Sequence, residues 1–143
     1  MSRKNKTIEQ PEETKETRKD ALRRLFLENN LVEEDVYKDK RGFVIITRTG
    51  IDKIVSKQGI TVAYEVIKLD ADGVVLKAVA QMKTKNKDVR SMMSFGEAAD
   101  ANLMGGAKKF PVAMAEKRAM SRVVLKIAGF YEQGVFGQDE IVD

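Results

Sequence analysis

The longest stretch with a regular hydrophobic period runs from Phe110 to Phe130, FPVAMAEKRAMSRVVLKIAGF. Stepping about 100° per residue places Val112, Ala119, Met120, Val123, Val124 and Ile127 on one arc. Lys117, Arg118, Ser121, Arg122 and Lys126 fall on the opposite arc. Pro111 suits a first helical turn and Gly129 suits a stop, so the spacing predicts one long amphipathic helix. Its apolar arc calls for a core, and its basic arc suits either solvent or an anion.

Earlier in the chain the period changes. Asp20 to Asn30 has Leu22, Leu25 and Phe26 at helical spacing, which predicts a short helix, and Leu31 to Arg41 reads as charged and irregular. From Gly42 the texture turns β-rich. Phe43 to Arg48 predicts a strand, and Ile51, Ile54 and Val55 predict a short helix closed by Gly59. Three runs follow, Ile60 to Leu69, Val74 to Lys85 and Val89 to Gly96, separated by turns at Asp70–Gly73 and Asn86–Asp88. That order predicts a three-stranded antiparallel meander, with Lys77, Gln81 and Lys83 pointing outward from its second strand. The expected fold class is α+β, a β-β-β-α core in which the long helix covers the meander. Glu97 to Lys109, with Gly105 and Gly106, reads as a mobile loop, and its spacing matches neither common phosphate-loop pattern.

The domain organisation follows. Residues 1–19 are almost free of large apolar side chains and read as a disordered or frayed terminus. Residues 20–130 read as a single domain, and residues 131–143 as an acidic tail carrying Val135, Phe136, Ile141 and Val142 among its acids. Such a tail is expected to pack on the domain, dock into a basic groove, hold a protein partner or be disordered.

Composition removes several kinds of chemistry. The 143 residues contain no Cys and no His, which argues against disulfides, thiolate metals, catalytic triads and zinc hydrolase sites. No secretory leader and no long apolar run is apparent, so an intracellular protein without a membrane partner is expected. Asp70, Asp72 and Asp88 fall at turns, where backbone reasons suffice. Glu97 and Asp100 could hold a divalent ion but have no His beside them, and Ser121 has no base to activate it. The expectation is a non-enzyme with no cofactor and no metal.

Charge adds a partner class. Residues 42–130 hold 15 Lys/Arg against 8 Asp/Glu, a net +7, while residues 131–143 hold 4 acids and no cation. This split points toward a polyanion. Lys53 and Lys57 lie one turn apart on the short helix, and Arg48 directly precedes it. With Lys117, Arg118 and Arg122 these form the candidate nucleic-acid contacts, phosphate contacts that give affinity without reading sequence. Tyr64, Phe95 and Phe110 are candidate stacking platforms, but core positions are the simpler expectation for each.

The ordered combination over residues 42–130 resembles the single-strand annealing superfamily, which includes the eukaryotic double-strand-break annealing protein and phage recombination proteins. The matching segments are Gln58-Gly59-Ile60 through Ile67, Phe95-Gly96, and Lys117-Arg118-Ala119-Met120. The resemblance implies a homo-oligomer, expected as a ring. Its basic groove would hold single-stranded DNA by the backbone and anneal complementary strands in recombination without ATP. It assigns the groove to Arg48, Lys117 and Arg118, with Arg122 one step from the family's next cation. It also suggests phage origin with action in a bacterial host. Two other readings remain open: a nucleic-acid or double-stranded RNA domain of α-β-β-β-α type clamping phosphates with Lys108 and Lys109, and an interaction module whose basic arc is solvated.

Overall fold

The computed structural model describes residues 16–141. Its elements, in order, are α1 (Arg18–Glu28), β1 (Val36–Lys38), β2 (Val44–Ile46), α2 (Arg48–Gln58), β3 (Thr61–Asp70), β4 (Gly73–Lys83), β5 (Val89–Ala98), α3 (Pro111–Ile127) and β6 (Phe136–Gly137). The expected frayed terminus falls mostly on residues 1–15, outside the described residues. Within them α1 begins earlier than expected, at Arg18, because the Thr17 hydroxyl caps it by accepting from the Asp20 N–H at 3.1 Å.

The fold is α+β, with three α-helices and two small sheets. The larger sheet has the order β3-β4-β5, antiparallel throughout. The smaller sheet, β1-β2-β6, was expected only in its β2 strand. It corrects the irregular reading of residues 31–41, where a short 3-10 turn (Glu33–Asp35) leads into β1. Its third strand comes from the acidic tail, as β6 runs parallel to β2 with Ile45 opposite Phe136.

Capping explains α2. Thr47 accepts from the Gly50 N–H at 3.1 Å, and Gly59 ends the helix in the left-handed region at φ 65°. Arg48 is therefore the first residue of the helix rather than the end of a strand.

α3 crosses β5 and β4. Along β4, Val74, Leu76, Ala78 and Ala80 are buried on the face toward α3, and the β5 partners of Leu76 and Ala78 are Gly96 and Ser94. This lane of small side chains lets helix and sheet approach closely. A Cβ on Gly96 would run into the Ala115 carbonyl oxygen and the Ala119 amide, and lie 2.9 Å from Ala119 Cα. Phe95-Gly96, expected to end the third strand, thus lies inside β5, which continues to Ala98.

The main core joins α1, α2, the sheets and α3 through Leu25, Ile46, Ile54, Val123, Val124 and Phe130. Each buried aliphatic side chain contributes roughly 1.5–3 kcal/mol relative to exposure. A second cluster at the other end of α3 gathers Val74, Leu76, Ala98, Leu103 and Ala115. The residues expected to form a mobile loop fold as two 3-10 turns, Asp100–Asn102 and Gly105–Lys109, with Leu103 buried between them. No helix among the described residues is long and apolar enough to cross a membrane.

Candidate nucleic-acid interface

Three of the cations on the basic arc of α3 do not face solvent. They face the outer edge of β5. Arg118 donates to the Glu97 carbonyl oxygen at 2.9 Å, Arg122 to that of Phe95 at 2.7 Å and Lys126 to that of Met93 at 3.4 Å. The match is geometric. Four residues of helix rise about 6 Å and two residues of strand about 6.6–6.8 Å. Cations at i, i+4 and i+8 on α3 therefore meet alternate carbonyls running back along β5. Unpaired carbonyls on an edge strand need partners, and this column supplies them.

Arg118 is the most enclosed of the three, only 4% exposed. Besides the Glu97 carbonyl it donates to Asn102 Oδ1 at 2.9 Å, to the Asn102 carbonyl at 2.7 Å and to the Asp139 carbonyl at 3.4 Å. Burial pushes its guanidinium below the ordinary arginine value, with Arg122 adding to the effect. The expectation that residues opposite the apolar arc are solvated fails for Arg118, and also for Ser121, which is buried against Gly137. Conversely Val112, assigned to the core, is exposed near the start of α3.

Arg122 sits between two carboxylates, Glu97 at 2.8 Å and Glu140 at 3.4 Å. Burial raises the Glu140 carboxyl above the usual range, although the Gly137 N–H, Arg122 and Tyr131 all favour its charged form. The acidic tail therefore packs on the domain. Val135 is buried, Asp139 stands 4.0 Å from Arg48, and Gln138 Oε1 accepts from the Arg48 N–H at the head of α2. A cleft of about 660 Å³ opens beside the tail, walled by Phe43, Tyr131 and Phe136, and its acids Glu97 and Glu140 already hold Arg122.

The six sequence-nominated cations thus separate. Arg118 and Arg122 are built into the sheet edge and the tail contact. Lys53 is held at 2.7 Å by the buried Asp35 carboxylate, which also accepts from the Val32 N–H. Lys57 is exposed at the last turn of α2, beside Asn30 and Ser56 and away from α3. Arg48 heads α2 beside the tail. Lys117 lies one turn before Ser121, whose side chain meets Gly137, so it shares the side of α3 next to the tail residues that hold Arg48. No carboxylate lies within salt-bridge distance of Lys117 among the described residues.

Tyr64 on β3 lies within charge range of Arg48 and of Glu116, the residue before Lys117. Burial raises its hydroxyl above the ordinary value, with Glu116 adding to the shift and Arg48 opposing it. Tyr64, Phe95 and Phe110, simplest as core residues on sequence grounds, are instead 37, 43 and 62% exposed. Sequence reasoning missed Asn102 and Glu140 and gave Glu97 only as a possible ion ligand, because nothing local marks them as partners of distant arginines. No family model, no curated protein and no solved structure matches the chain.

Proposed function

We propose that the protein binds single-stranded DNA by its backbone and anneals complementary strands as an oligomer in recombination, without ATP. The observation that carries this reading is the placement of Arg48 at the head of α2, close enough for its charge to act on the part-exposed ring of Tyr64, with Lys117 on α3 outside the arginine column that caps β5. The hairpin-connected β3-β4-β5 order followed by α3 agrees with the β-β-β-α meander that the annealing superfamily implies. Pairing of complementary strands is downhill once their charge repulsion is neutralised, so the activity needs no nucleotide.

Arg48→Ala and Lys117→Ala test it. Each removes one phosphate contact, so affinity falls for every single-stranded sequence alike and the salt slope drops by about 0.7 per contact. Both variants binding and annealing like wild type would refute the site. Lys108 and Lys109, exposed in the turn before α3, favour a second reading as a duplex-RNA clamp. Competition between single-stranded DNA and duplex RNA for the wild-type protein decides between the two.

A further inference from the structure

The two outer edges of the larger sheet are finished differently. On β5, α3 cations cap the carbonyls. On β3, nine of ten residues are exposed, and among the described residues β4 is the one element that packs extensively against the strand. The β4 partners of Tyr64, Val66 and Leu69 are Ala78, Leu76 and Val74, so all three side chains lie on the buried face of β4, yet α3 does not reach over them. Val66 is 58% and Leu69 61% exposed. A long, apolar, uncapped edge of this kind is a template for another strand.

We infer that the β3 edge docks a second copy of this chain, antiparallel, joining two three-stranded sheets into one of six. The inference rests on the oligomer part of the proposed function and not on DNA binding. Self-complementarity identifies the occupant. The register between β3 and β4 shifts between Val66 and Lys68, so Glu65 and Lys68 share one face and Tyr64 and Leu69 share the other. Two copies aligned about Val66 and Ile67 then set Glu65 against Lys68 of the partner subunit, and Lys68 against Glu65 of the partner subunit. The same alignment lays Tyr64 on Leu69 of the partner subunit. Opposite charges and apolar pairs directly across an antiparallel ladder are favourable, whereas a one-residue slip would set the charged face against the apolar one. Within one chain, among the described residues, Glu65 and Lys68 have only partly exposed pairings, at 3.5 Å to Lys77 and 4.0 Å to Asp70. The two-fold axis of such a pair is perpendicular to the sheet, so both Arg48–Tyr64 sites would lie on one face, between the two α3 helices.

Light scattering coupled to gel filtration of the full chain tests the proposal, with Glu65→Lys, Lys68→Glu, the double reversal and Val66→Lys. The wild type is expected at twice the chain mass or a multiple of it. Each single reversal and Val66→Lys shift it toward monomer, and the double reversal recovers association. A monomeric wild type, or Val66→Lys and both single reversals keeping the wild-type mass, would overturn the inference. Thermal melts of the same samples show that a lost dimer is not a lost fold. If association instead follows addition of an unrelated extended peptide and not protein concentration, a foreign strand is the occupant and the proposal fails. A single-stranded DNA shift assay on these samples separates the two readings. An intact dimer that binds no DNA refutes only the DNA site, and a monomer that binds DNA refutes only the β3 contact.

Discussion

Replacing Arg118 with methionine removes the guanidinium while keeping a long, flexible side chain in its place. The protein then loses three hydrogen bonds at 2.7–2.9 Å and leaves the Glu97 carbonyl, Asn102 Oδ1 and the Asn102 carbonyl without that donor. Bonds to a charged donor contribute roughly 1.5–3 kcal/mol each, but they are not additive when one group makes them all. Each buried acceptor left unsatisfied costs about 1–3 kcal/mol. An expected loss of about 4 kcal/mol is a large share of the roughly 5–15 kcal/mol that holds a domain folded. At about 3 °C per kcal/mol for a chain of this size, the melting temperature falls by about 12 °C. Urea unfolding followed by circular dichroism reads the loss as a lower midpoint at unchanged slope. Lys117→Met, on the same helix but without a buried partner, stays within about 0.5 kcal/mol of wild type. Arg118→Met within about 1 kcal/mol of wild type would refute the placement of Arg118 as an edge cap. The comparison also bears on any DNA-binding loss seen for an Arg118 variant, which cannot be assigned to a phosphate contact until its fold has been shown to persist.

Two further predictions come from the packing and the titrating groups. Gly96→Ala places a methyl group against the α3 backbone, which cannot retreat as a side chain would; chemical denaturation should show a loss of about 1–3 kcal/mol, and wild-type stability would show that the helix does not approach β5 so closely. Burial works to raise the Asp35 carboxyl, but the Lys53 ammonium and the Val32 N–H outweigh it and hold it below the ordinary aspartate value. Its contribution is therefore present above the ordinary value and lost as pH falls through the depressed one, so the acid-side decline in stability below about pH 4 should be shallower in Asp35→Asn, measured by urea midpoints across pH.

Much of the order of elements was legible because local physics dictates it. The turn Asp70–Gly73 carries its own chemistry, with Asp70 Oδ1 accepting from the Asp72 and Gly73 N–H groups, so the hairpin between β3 and β4 could be read directly. Of the smaller sheet only β2 was legible. β1 and β6 are two or three residues long, too short for a period to emerge, and β6 lies 90 residues beyond its partner β2. The exposure of Tyr64 and Phe95 was equally hidden. Alternation along a strand says which side chains share a face, but not which face a helix covers or how far across the sheet it reaches.

The same division runs through α3. Pro111, the repeat of apolar residues and Gly129 determined by themselves that a helix forms, where it starts and stops, and which residues share each side. They also determined that Arg118, Arg122 and Lys126 stand in one column. What that column faces was decided only by the tertiary structure. Periodicity fixes angles around an axis, whereas the meaning of a cation depends on what lies across from it. Here that is a strand whose free carbonyls repeat at nearly the spacing of the helix turns, together with a tail that brings Asp139 and Glu140 back onto the same side.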